Sequence, residues 1–175
     1  MTYLALPLEQ EIYTTPTWSE PLQYFLDTEF NGFGGALISL GLVREDGSSL
    51  YLIYATPETT NPFVRSKVQP NLLRVPPGVV ARNVSQGEGA HAIESFLHGD
   101  ADVLIIADWP TDLSLFCQAL MLEPGLMVPI TRLRFELHRV SSYPTDLSGA
   151  VEHNACWDAM ALRQRLMHEP AHFTT

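Results

Sequence analysis

Five consecutive apolar residues, Val103-Leu104-Ile105-Ile106-Ala107, most constrain what this chain can fold into. The run is too short for a helix of ordinary length and has no polar face to give to water. It therefore reads as a strand buried on both faces, the pattern of a sheet covered by helices. Pro110, three residues beyond the run, favours a helix start, predicting a helix through about Leu122. Upstream, Leu22 to Leu26 reads as a short strand. It is followed by Asp27-Thr28-Glu29-Phe30 and a loop with glycines at 32, 34 and 35. Strands over Ala36 to Arg44 and Ser49 to Tyr54 flank Glu45-Asp46-Gly47-Ser48, and Asp-Gly between apolar runs signals a hairpin. These three segments predict an antiparallel meander with the first strand placed to pair inward.

The remaining elements are less sharply written. Pro57 to Gln86 is rich in proline and turn residues, with a helix expected within Pro62 to Leu73 that ends near Pro70. Glu88 to Leu97 places Ala90, Ile93, Phe96 and Leu97 on one helical face. A further strand is expected within Val128 to Arg139, then a mobile loop over Ser141 to Glu152. The last helix runs from an Asn154 N-cap to about His168. The sum is an α/β domain with a mixed five- or six-stranded sheet, an antiparallel meander plus parallel strands, flanked by helices. A length of 175 residues fits one domain over 1–175, with 1–20 as a peripheral N-terminal segment.

Composition narrows the partners. At 46% hydrophobic and 17% charged residues the chain can build a core, so disorder is excluded. No apolar stretch is long enough to span a membrane, and the first residues lack the basic start of a signal peptide. Cys117 and Cys156 make neither a disulfide framework nor a thiolate zinc site, and read as free thiols of a cytoplasmic protein. Asn83-Val84-Ser85 matches a glycosylation acceptor, which carries no meaning in that compartment. A net charge of −10 argues against broad binding of duplex nucleic acid, which needs a basic face. It is neutral towards an enzyme that grips one chain end through cations, because such cations reverse the local field of clustered acids.

Four acids occupy informative places. Asp27 and Glu29, two apart at a strand end, share one face. Asp112 lies in the first turn of the helix after the buried strand, and Asp158 in the first turn of the last helix, five residues after His153. Strand ends and helix starts build the ligand crevice of α/β sheets. Two full charges about 4 Å apart repel by roughly 4 kcal/mol at an effective dielectric of 20, so converging acids call for hard cations. Taken singly, an acid in a first turn only favours the helix dipole, and a histidine beside an N-cap is an ordinary loop residue. Asp108, four residues before Asp112, competes with it for the third position. Asp112 is preferred, with Asp108 as the helix cap.

In this order and on these elements the residues resemble a known family. Phe25-Leu26-Asp27-Thr28-Glu29-Phe30 is similar to the first motif of DEDD exonucleases of the ribonuclease H-like fold. Thr111-Asp112 with Leu113 to Leu115 resembles the second motif. His153-Asn154-Ala155-Cys156-Trp157-Asp158-Ala159 resembles the third, in its histidine (DEDDh) form. The meander, the Asn61-Pro62-Phe63-Val64-Arg65 segment and the short length look most like the small bacterial exoribonuclease branch that includes ribonuclease AS. Asp108 departs from the pattern, since many members carry asparagine there.

The resemblance implies a 3′→5′ exoribonuclease that uses two divalent cations, Mg2+ or Mn2+, and releases 5′-mononucleotides from single-stranded RNA. Asp27, Glu29, Asp112 and Asp158 would hold the metals, and His153 would act as general base from a loop that closes over substrate. Thr28, Phe30 and Asn31 would touch the terminal nucleotide. Arg132, Arg134 and Arg139 are candidate phosphate contacts, which a solvated strand face explains equally well. A homodimer is expected only by analogy. The competing readings are a 3′→5′ DNA exonuclease, a silent nucleic-acid-binding module of the same fold and a phosphatase. The last would need a phosphate loop that Gly32-Phe33-Gly34-Gly35 does not match.

Overall fold

The computed structural model describes residues 20–54, 61–139 and 147–168. The expected peripheral segment therefore lies outside the described residues except for Glu20, as does the first half (141–146) of the loop expected before His153. Strands β1 (Leu22–Phe30), β2 (Leu37–Arg44) and β3 (Ser49–Tyr54) form the meander. They are followed by β4 (Ala81–Val84), α1 (Gln86–Leu97), β5 (Val103–Ala107), α2 (Pro110–Ala119), a small hairpin of β6 (Met121–Glu123) and β7 (Leu126–Met127), β8 (Leu133–Leu137) and α3 (Ala155–His168). The main sheet is mixed and six-stranded, in the order β4-β3-β2-β1-β5-β8. β2 runs against both neighbours, whereas β1/β5, β5/β8 and β3/β4 pair in parallel.

Several boundaries differ from expectation for identifiable reasons. β1 continues through Phe30, because ladder bonds to β2 extend it past the apolar run that ends at Leu26. α1 begins two residues earlier than read, at Gln86. Ser85 and Glu88 form a reciprocal capping box there, with Glu88 Oε2 accepting from the Ser85 amide at 2.8 Å. α2 ends at Ala119 rather than Leu122, since Met121 is drawn into the β6–β7 hairpin. The helix expected within Pro62 to Leu73 is a π turn, Val64–Val68, running into a 3-10 turn, Gln69–Asn71. β4, with no fully buried residue, was not anticipated, and nothing in its Ala-Arg-Asn-Val pattern marks it as a strand.

The two sheet faces bury different sets. On one, Tyr24, Leu26, Leu40 and Leu42 pack with Ile93 of α1 and Phe116 of α2. On the other, Phe25 and Ile106 pack with Leu162 of α3. β1 and β5 are thus covered on both sides, as the five-residue apolar run requires. α3 comes close because residue 41 is glycine: a side chain there would stand 2.7 Å from the Cys156 amide and closer still to the Ala155 carbonyl. Gly41 is the register partner of Asp27, so this close approach brings the start of α3 against the strand that carries the acids.

Candidate metal centre

Asp27, Glu29, Asp112 and Asp158, from three separate stretches of the sequence, line one cleft of about 480 Å³ with Thr28, Phe30, Asp108, Trp109, Glu152 and His153. The carboxylates fall into two groups. Asp27, Glu29 and Asp158 bring one oxygen each within 4.8 Å of one another, and so do Asp27, Asp108 and Asp112. Asp27 belongs to both. Buried acidic clusters of this kind could hold metal ions, and hard divalent cations suit an all-oxygen donor set.

The electrostatics agree with that fit. Burial is the largest influence on each of the four acids, and mutual repulsion adds to it at Asp27 and Glu29. Asp27 is pushed well above the ordinary carboxylate range by burial and then by Asp112, Asp158 and Glu29. Glu29 rises to about 8 through burial and then Asp158 and Asp112. Burial also carries Asp112 and Asp158 up to about 7. This holds despite the Thr28 hydrogen bond at the first and backbone bonds from Asn154 and His153 at the second. One oxygen of Asp112 accepts from the Thr28 hydroxyl at 2.6 Å, while Oδ2 is buried with no hydrogen-bond partner. An orphaned buried carboxylate oxygen costs on the order of 1–3 kcal/mol, and a cation would satisfy it.

Asp108 and Asp112 are not alternatives, since both reach the same group with Asp27. Asp112 is 2% exposed and Asp108 half-buried at the end of β5. Asp108 does not cap α2 either: the N-cap is Trp109, without a side-chain cap bond. Of the residues expected to touch substrate, Phe30 lines the cleft. Thr28 does too, but it is buried with its hydroxyl given to Asp112. Asn31 is outside the cleft lining, and its amide donates to Ala36 O at 2.9 Å. Arg132 and Arg134 are drawn to the buried Asp102 rather than to the cleft. Arg139 packs its guanidinium 4.1 Å from the Trp109 ring centre.

His153 is held by its surroundings. Its φ of 58° is left-handed, the one positive φ at a non-glycine among the described residues, and such strain persists only where neighbours over-determine it. Those neighbours come from residues 61–74. Asn71 Nδ2 donates to Glu152 O and Asn154 Nδ2 to Asn71 O, at 2.9 and 2.8 Å. Trp157 Nε1 donates to Arg74 O at 2.8 Å. Phe63 sets its ring edge-on to the imidazole, 4.9 Å between centres. Asn154 Oδ1 also accepts from the Cys156 and Trp157 amides, the cap expected for α3.

Sequence reasoning missed Trp109 and Glu152 as cleft residues, and set Asp108 against Asp112 where the structure groups both with Asp27. Position alone could have signalled Trp109 and Asp108, since both lie within two residues of the end of the buried strand. Cys117 and Cys156 are free thiols, and no helix of the described residues is long and apolar enough to cross a membrane. No known family model matches this chain, and no curated protein matches it.

Proposed function

We propose that the protein is a two-metal-dependent 3′→5′ exonuclease of the DEDDh type, acting on single-stranded RNA. The observation that carries the reading is the pair of carboxylate groups sharing Asp27, with His153 on the same cleft. The mixed sheet, with β2 alone reversed, agrees with a ribonuclease H-like fold. The site, and not the fold, carries the reading, because one fold serves many chemistries.

Asp27, Glu29 and Asp158 would hold one cation, and Asp27 with Asp112 and Asp108 the other. Two such cations, when bound, stabilise the entering and departing oxygens of phosphodiester cleavage. The protein's own residues do the rest. Thr28 holds Asp112 in orientation through its hydroxyl. His153, fixed by the 61–74 segment, takes the proton of the attacking water. Phe30 borders the space for the terminal nucleotide. The 3′→5′ direction and the choice of RNA rest on the motif resemblance, and the intact acid set speaks against a silent module.

The test is incubation with 5′-labelled single-stranded RNA and DNA of one sequence, with and without Mn2+, beside Asp27→Ala. A metal-dependent ladder shortened from the 3′ end and absent in the variant supports the reading. The ratio of RNA to DNA rates decides the substrate. Metal binding without degradation of either strand would overturn it.

A further inference from the structure

Trp109 is out of character for its place. It lies two residues beyond the buried strand β5, stands in the extended conformation (φ −127°, ψ 136°) at the N-cap of α2, and remains 49% exposed on the wall of a largely acid-lined cleft. An indole half in water contributes little to the core. Its ring is nonetheless held in position: the Arg139 guanidinium lies over it, and Arg139 Nη1 donates to Asp108 O at 3.4 Å. An exposed aromatic ring with a cation over one face, beside a carboxylate group, is suited to a planar ring attached to a phosphate.

We propose that Trp109, backed by Arg139, is the stacking platform for the 3′-terminal nucleobase, an assignment that rests on the exonuclease reading. The charge balance gives the platform its purpose. With a net charge of −10 and six acids on the cleft, the protein cannot hold a polyanion through a broad basic face. Affinity must come from the cations and from sequence-tolerant stacking, since every base has a π face. Arg139 adds the cation–π component and offsets the local negative field. Arg44, Arg132 and Arg134 cannot substitute, because they are drawn to Asp100 and Asp102, away from the cleft.

The experiment measures equilibrium binding of two fluorescent tetraribonucleotides in Ca2+, identical except that one ends in an abasic residue. Wild-type protein is expected to prefer the base-bearing strand by about 5- to 150-fold, the range of one base–aromatic stack. Trp109→Ala should bring the preference to within about twofold, Trp109→Phe should restore most of it, and Arg139→Gln should lower it partway. Mn2+ affinity should not change in the two Trp109 variants. Equal loss on both strands, or an undiminished preference in Trp109→Ala, would overturn the platform. So would a wild-type protein that does not distinguish the strands. Metal-dependent shortening of RNA by the wild type separates the two ideas: its absence sinks the exonuclease reading, whereas its presence beside an indifferent Trp109→Ala sinks only the platform.

Discussion

Replacing Gly41 by alanine tests whether the close approach of α3 to β2 assembles the acid cluster. The added methyl would stand 2.7 Å from the Cys156 amide and nearer to the Ala155 carbonyl, both backbone atoms that no rotamer change can move aside. Relief to a normal contact of about 3.3 Å requires the start of α3 to withdraw by roughly 1 Å. Overpacking of this kind costs about 1–3 kcal/mol, equivalent to roughly 2–12 °C in Tm for a chain of this size. The functional effect should be larger than the loss of stability. Asp158 lies one turn into the helix, His153 just before it, and Asp27 is the register partner of the mutated residue. A shift of about 1 Å in reacting groups lowers turnover by about a hundredfold. The assays are thermal unfolding, Mn2+ titration and RNA shortening at a temperature where the variant is fully folded. Gly87→Ala is the control: nothing lies within 4 Å of its added methyl, and it sits in α1, so it should be neutral or stabilising by about 0.5–1 kcal/mol. A Gly41→Ala protein with wild-type Tm, metal affinity and rate would refute the argument that this glycine positions α3.

The acid cluster makes its own predictions. Carboxyls raised above their ordinary values of 3.8 and 4.5 bind more protons folded than unfolded, so metal-free stability should fall as pH rises from about 4 to 8. The stabilisation by Mn2+ should grow over the same interval, and a flat metal-free Tm across it would contradict the cluster. Asp27→Asn removes the shared charge; metal-free Tm should rise by roughly 2–6 °C while metal binding and RNA shortening disappear, and a lowered Tm would count against repulsion at this position. His153→Ala should lower turnover by about a hundred- to ten-thousandfold with metal affinity intact. His153→Gly should be equally inactive yet about 1 kcal/mol more stable than the alanine variant, because glycine relieves the φ of 58°; equal unfolding midpoints would remove the strain argument. Thr28→Val leaves buried Asp112 without its hydroxyl donor and should weaken Mn2+ binding about tenfold, read by calorimetry.

Elements with a strong local signature were legible in the sequence. The Val103–Ala107 run, the Asp-Gly hairpin after β2 and the Asn154 cap each specify backbone conformation within a few residues, and β3, β5 and α3 fall where they were expected. The acids were legible as a set because strand ends and helix starts face one crevice in such sheets. Other features depend on atoms far apart in the chain. β4 is a strand only because β3 offers it an edge to pair with, and β6 shortens α2 only because β7 lies opposite. Asp108 joins Asp112 rather than replacing it, since the two lean towards the same oxygen of a third residue 81 or more positions upstream, a convergence no local pattern encodes. The posture of His153 is likewise imposed by residues 61–74, through hydrogen bonds spanning more than 80 positions. Local sequence therefore determined which side chains are available to the candidate site. Packing, acting through a glycine opposite Asp27 and a strained histidine, decided how closely they meet.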